Sequence, residues 1–250
     1  MKIVLIAGGF GTRAKPYTDF SPKPMIPILD RPLIDHIIRY IARFKKVEEI
    51  LVVTNLKGSG KQILNYFAGK EKQLRKKITF VDDPNEDTAI AVLRAKSKLR
   101  SGQPFIVWFS DNLSPVDLND MMRFQSRTDG LGCVAVRSRR KEETGFARIS
   151  KTGLVNKFLE KPTIKLQTPE CLGIYAFNYE ILKHIANARA KKRKVNLSAD
   201  ILQKLSANDN FYAYDIGDTP WIDIESPAKM DRNFEDVKAI IEKMKRAWIR

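Results

Sequence analysis

The sequence predicts an α/β fold: a mostly parallel mixed sheet flanked by helices, with an antiparallel subregion in its second half. Three observations predict it. The chain opens on the apolar run Lys2–Ala7, which leads straight into Gly8-Gly9-Phe10-Gly11-Thr12-Arg13, as when a buried strand delivers the chain to a loop without side-chain bulk. Short apolar runs then alternate with helical patterns as far as Phe109, the order of parallel strands joined by crossover helices. Beyond residue 130, four short strand candidates follow one another with polar connections. A meander of that kind predicts antiparallel strands added to, or laid over, the parallel sheet.

In chain order, Lys2–Ala7 is the first strand, apolar from Ile3 onward. Pro32–Phe44 repeats apolar residues at helical spacing behind a proline, which suits a first helical position. Ile50–Thr54 is a strand, Gln62–Phe67 a short helix, Ile78–Val81 a strand, Ala89–Leu99 a helix and Phe105–Phe109 a strand. The four meander strands are Leu131–Val136, Phe146–Ile149, Leu154–Glu160 and Cys171–Phe177. Tyr179–Ala190 and Leu197–Leu205 are predicted helices, and Phe234–Ile249 is an amphipathic terminal helix that can pack on its own domain or on a second copy of the chain. In open sheets of this class ligands bind beyond the carboxyl ends of the strands. Both the Gly9–Arg13 loop and Ser110-Asp111 fall at such ends.

With 250 residues, 43% of them hydrophobic, the chain can bury a full core, and no run approaches the roughly 20 apolar residues of a membrane span. The apolar stretch before the glycines is too short for a secretory segment. Cys133 and Cys171 stand alone, without metal spacing or a disulfide framework, so a cytoplasmic setting is expected. The net charge of +16 suits phosphorylated small molecules, anionic surfaces or nucleic acid. Its basic residues are scattered, few aromatics interleave with them and no recognition motif accompanies them, so no specific nucleic acid is expected. There is no repeat and no linker: a single domain over residues 1–250 is expected, divided functionally at about residue 130 and closed by a helix from about 231.

The chemistry concentrates in a few places. The first turn is neither the dinucleotide Gly-x-Gly-x-x-Gly nor the phosphate loop Gly-x4-Gly-Lys-Ser/Thr, and Gly58-Ser59-Gly60-Lys61 fails the latter because Gln62 follows; that stretch is expected to be a loop before a helix. Backbone N–H groups at Gly8, Gly9 and Gly11 can nevertheless approach phosphate oxygens closely, with Arg13 and the proline-fenced Lys23 beside them. Aspartates at strand ends are commonly turn or cap residues, and Asp215 and Asp218, around Gly217, are expected to be turn residues. His36 and His184 fall in predicted helices and are expected to be structural.

Gly8-Gly9-Phe10-Gly11-Thr12-Arg13, Pro16, and Pro22-Lys23-Pro24-Met25-Ile26-Pro27 together resemble the signature of the sugar-1-phosphate nucleotidyltransferases, or nucleoside-diphosphate-sugar pyrophosphorylases. Further landmarks follow in the family's order: Ser110-Asp111, Thr144-Gly145, Phe158-Leu159-Glu160-Lys161-Pro162, Leu172-Gly173-Ile174-Tyr175 and Trp221-Ile222-Asp223-Ile224. They cover residues 2 to about 230. The resemblance implies a Rossmann-like fold whose antiparallel subregion binds the sugar. It also implies transfer of a nucleoside monophosphate from a nucleoside triphosphate to a sugar-1-phosphate, with Mg²⁺ as cofactor.

By the same resemblance Gly8, Gly9, Gly11, Thr12, Arg13, Lys23 and Thr88 bind the nucleotide, and Arg13, Lys23 and Asp111 are catalytic. Asp111 and Asp223 hold the metal, while Gly145, Glu160, Lys161 and Gly173 take the sugar phosphate. Taken alone, Glu160-Lys161 would be a solvated pair at a strand end. Glucose-1-phosphate with dTTP or UTP comes first among the implied substrates, with mannose-1-phosphate and GTP next; a non-catalytic regulatory protein is the alternative. The loop that reads the base in this family usually carries a glutamine and a Gly-Thr-Ala-like stretch. Here Asp82-Asp83-Pro84-Asn85-Glu86-Asp87-Thr88-Ala89 holds no glutamine, and Asp87 stands at the usual glycine.

Overall fold

The computed structural model describes residues 1–9, 11–208 and 210–247; Phe10 of the first turn, and Trp248 and Ile249 of the expected terminal helix, lie outside them. The first half of the chain supplies strands β1 (Lys2–Ile6), β2 (Pro27–Ile28), β3 (Arg31–Pro32), β4 (Glu49–Thr54), β5 (Lys77–Asp82), β6 (Phe105–Phe109) and β7 (Asn112–Leu113). The second half supplies β8 (Gly132–Lys141), β9 (Phe146–Ile149), β10 (Val155–Leu159), β11 (Thr163–Phe177), β12 (Tyr212–Asp215) and β13 (Ile222–Asp223). Seven of these form one sheet in the order β12-β8-β11-β6-β1-β4-β5. In it β11 alone runs against its neighbours: it pairs antiparallel with β6 and β8, and every other pairing is parallel.

Alternation along the strands builds two cores. Ile3, Leu5, Ile50, Val52, Ile106 and Trp108 face one side of the sheet; Val4, Ile6, Leu51, Val53, Phe105 and Val107 face the other, as the period of two requires. On the first side lie helices at Leu33–Ala42, Leu118–Gln125 and Phe234–Arg246; on the second lie those at Thr88–Arg94 and Ile181–Lys191. The terminal helix packs on its own domain, burying Val237, Ile240 and Ile241, and Arg43 donates to the carbonyls of Met244, Lys245 and Ala247 at its end. No helix among the described residues is long and apolar enough to cross a membrane.

The meander resolves into two parts. Strands β8 and β11 extend the main sheet, whereas β9 and β10 form a separate hairpin whose Ile149, Val155 and Phe158 are exposed. The predicted helix at Leu197–Leu205 is a π-helical turn, Leu197–Leu202, followed by a short α-helix, Gln203–Ser206. The helix at Leu118–Gln125 and the edge strand β12 were not expected. Asp117 caps that helix by accepting from the amides of Asn119 and Asp120, a start signal that Asp-x-x-Asp carries in sequence. As expected, Gly58–Gly60 is a loop before a helix, Lys61–Phe67, and Asp215 accepts from the Gly217 amide in a turn. His36 is buried, with Nε2 2.9 Å from the Ile28 carbonyl oxygen, and burial pushes its pKa down. His184 is exposed on its helix.

Candidate active site

Strand β1 ends at the glycine turn. Gly9 and Gly11 both take positive φ, 112° and 58°, which explains glycine at these positions. Thr12 and Arg13 follow in a 3-10 turn, and Lys23 opens another between Pro22 and Pro24. Strand β6, next to β1 in the sheet, ends at Phe109, so Asp111 emerges beside that turn. Lys23 Nζ meets Asp111 Oδ2 at 2.7 Å.

The second carboxylate arrives by a small antiparallel ladder. Asp223 in β13 lies opposite Asn112 in β7, and the Ile224 amide donates to the Asp111 carbonyl at 2.8 Å. Two aspartates 112 positions apart are thereby neighbours. Asn112, which sequence reasoning passed over, orients the group. Its Nδ2 donates to Asp111 Oδ1 at 2.7 Å, while its Oδ1 accepts from Trp221 Nε1 at 2.8 Å; those partners fix which end of the amide points where. A Cβ on Gly173 would stand 2.5 Å from Asn112 Nδ2. Gly173 therefore makes room for the residue that aims Asp111.

The residues present fit a divalent cation. Asp223 Oδ1 is buried without a hydrogen-bond partner. Its carboxyl is pushed up to about 6, first by burial and then by the Asp111 charge, with Lys23 and Lys229 opposing. A bound cation would satisfy the oxygen and offset both effects. Among the described residues no cluster of three or more His, Cys, Asp or Glu could hold a metal. Two carboxylates with the remaining positions left to substrate oxygens and water is the arrangement Mg²⁺ favours.

Arg13 reaches across to the far side of the site, where its guanidinium pairs with Glu225, two residues beyond Asp223. Lys229 Nζ lies 3.6 Å from the other Glu225 oxygen. Neither Glu225 nor Lys229 was marked by the sequence reading.

The loop after β5 lies against the glycine turn. Asn85 Oδ1 accepts from the Gly9 amide at 3.1 Å, and Asp83 is buried next to Gly8, with burial pushing its pKa up. Asp87 has φ 125° and ψ 166°, a backbone region essentially reserved for glycine. Its Oδ1 accepts from the Thr88 amide at 2.7 Å and from Asn196 Nδ2 at 3.2 Å. The Thr88 hydroxyl accepts from the Leu197 amide at 2.9 Å, so this hydroxyl ties the loop to the second half of the chain. Glu86 is held by Arg94 at 3.2 Å and Arg189 at 3.0 Å.

Glu160 and Lys161 follow the hairpin strand β10, exposed, with Lys161 at φ 44°. Gly145 stands against Phe158 and Glu160. Neither Glu160 nor Lys161 makes an ion pair among the described residues. The cluster that the chain itself draws together is Arg13, Lys23, Asp111 and Asp223; the Glu-Lys pair stands apart on the hairpin.

Comparison with known proteins agrees with this architecture. Mannose-1-phosphate guanylyltransferase 1 of Arabidopsis thaliana is 30% identical over 233 residues, 91% of this chain and 62% of the relative. The bifunctional protein GlmU of Methanococcus vannielii is also 30% identical, over 91% of this chain and 52% of its own length; the chain thus spans under two thirds of either relative. Among solved structures, a UDP-glucose pyrophosphorylase complexed with UDP-glucose superposes with a TM-score of 0.68 at 21% identity, covering 97% of this chain and 98% of that one. The inositol-1-phosphate CTP transferase from T. maritima gives 0.69 at 16% identity, covering 100% and 97%. The nucleotidyl transferase family model matches residues 2–238, nearly the whole length over which the landmarks run, and the chain belongs to that family.

Proposed function

We propose that this protein transfers a nucleoside monophosphate from a nucleoside triphosphate to a sugar-1-phosphate, giving a nucleoside-diphosphate sugar and pyrophosphate. The observation that carries the reading is the convergence of Lys23, Asp111 and Asp223 beside the Gly8–Arg13 turn. An oxygen of the sugar phosphate forms a bond to the α-phosphorus as the bond to the β-phosphate oxygen breaks in line. Such a reaction requires positioning and charge stabilisation rather than a covalent enzyme intermediate.

The turn's backbone amides and Arg13 hold the triphosphate, with the guanidinium offering forked donors. Lys23 neutralises charge where it develops at the α-phosphate. Asp111 and Asp223 would hold Mg²⁺, which when bound supplies charge neutralisation between the phosphates. Lys161 holds the phosphate of the sugar phosphate, and Glu160 accepts hydrogen bonds from sugar hydroxyls beside Gly145.

The named guanylyltransferase relatives move mannose-1-phosphate with GTP ahead of glucose-1-phosphate with dTTP or UTP. The loop chemistry agrees. No glutamine stands in this loop and Asp87 takes the usual glycine position; a carboxylate there, an acceptor only, complements the adjacent N–H donors of a guanine edge better than a pyrimidine edge with one. A panel of GTP, UTP, dTTP, ATP and CTP against mannose-1-phosphate and glucose-1-phosphate, with Mg²⁺, tests the assignment through pyrophosphate release. The expected outcome is fastest release with GTP and mannose-1-phosphate. A clear preference for dTTP or UTP reverses the substrate assignment, and silence across the panel from folded protein removes the activity. The presence of all five of Arg13, Lys23, Asp111, Lys161 and Asp223 disfavours a non-catalytic regulatory role on the same fold.

A further inference from the structure

Two cations of the site, Arg13 and Lys23, are engaged by carboxylates of the chain itself. Lys23 is paired with Asp111, and Arg13, although its side chain is 72% exposed, is paired with Glu225. These pairs differ in kind. The first lies within the catalytic cluster, with Lys23 only 14% exposed. The second spans the site mouth, joining the glycine turn to the segment just after Asp223. Glu225 also has a second cation at hand in Lys229, four residues on at 3.6 Å.

We propose that Glu225 is a positioning residue that holds Arg13 away from the phosphate site until nucleotide arrives, and then stays paired with Lys229 alone. This rests on the reading that the site binds a nucleoside triphosphate. The physical argument is one of exchange. An exposed ion pair is worth little, at most about 1 kcal/mol, so a triphosphate offering several charged oxygens to the Arg13 fork displaces it readily. With Arg13 alone as its partner, Glu225 would be left unpaired beside an incoming anion, in a site whose Asp111 and Asp223 are also negative. Lys229 removes that obstacle, because it already lies 3.6 Å from the Glu225 oxygen that Arg13 does not hold. Glu225 thus lowers nucleotide affinity modestly.

Nucleotide binding without sugar phosphate tests this, read as the Kd of Mg²⁺–GTP and Mg²⁺–UTP by calorimetric titration. Glu225→Gln, of nearly the same size, frees Arg13, and the Kd is expected to fall about two- to fivefold, the range an exposed pair supports. In an Arg13→Ala background the same substitution is expected to change nothing, because the latch no longer exists. A fall that persists without Arg13 means that Glu225 simply repels phosphate, and overturns the proposal. An unchanged or weaker Kd in the single variant, with thermal unfolding as in the unaltered protein, overturns it too. If the unaltered protein binds neither nucleotide, the reading beneath it fails instead.

Discussion

Asp223 carries the clearest physical signature in the molecule. A carboxyl raised to about 6 against an unfolded value near 3.8 is held at a disadvantage whenever it is ionised. The sign follows from the protons bound: between those two values the native state binds more protons than the unfolded one. Stability from this group is therefore present at low pH and is lost as pH rises through about 6. Asp223→Asn removes the disadvantage. It is expected to raise the stability of the metal-free protein by about 1–3 kcal/mol at pH 7.5, measured by denaturant unfolding, with the difference vanishing below about pH 4. A variant less stable than the parent at pH 7.5 would show that the carboxylate is a structural anchor. A side chain kept at a cost to stability is what a functional site leads one to expect.

At the scale of elements, the Asp82–Thr88 loop is held from several directions: Glu86 by Arg94 and Arg189, Asp87 by Asn196, and Thr88 by Leu197. Within it Asp87 occupies backbone conformation suited to glycine, a strain of order 1–3 kcal/mol, while its cap is worth only a few tenths more than glycine would give. Asp87→Gly is therefore expected to raise the melting temperature by about 2–6 °C for a chain of this size, measured by calorimetry. A fall would mean that the bond from Asn196 outweighs the strain. Sequence marked Asp87 as unusual but could not disclose that its backbone takes a conformation suited to glycine, because φ depends on the contacts that pin both ends. The four strands that the first half gives to the main sheet were legible because each is a compact, largely apolar run ending at a turn; the two-residue strands β2, β3 and β7 are too short to leave a pattern. The split of the meander was not: nothing local distinguishes strands that join a distant sheet from strands that pair with each other. The helix at Leu118–Gln125 carried a readable start in Asp117, but its interior is polar enough to pass for a loop.

Across the whole molecule, the sheet order does the assembling. Placing β1 next to β6 brings the glycine turn to Asp111, and the β7–β13 ladder delivers Asp223 from the far end of the chain. The residue types of the site were legible from motif order, since their chemistry needs cations and carboxylates whatever their separation. Their supports, Asn112 and Glu225, were not, because their roles arise from contacts across 109 and 212 positions. The +16 charge is consistent with anionic substrates without identifying them. The central claim is that Asp111 and Asp223 together enable nucleotidyl transfer. Its most direct test is pyrophosphate release, matched against nucleoside-diphosphate sugar formed, for the unaltered protein and for Asp111→Asn and Asp223→Asn over a range of Mg²⁺. The account predicts equal amounts of both products from the unaltered protein and a loss of at least about a hundredfold in each folded variant. Near-normal turnover by either variant at any Mg²⁺ concentration would contradict it.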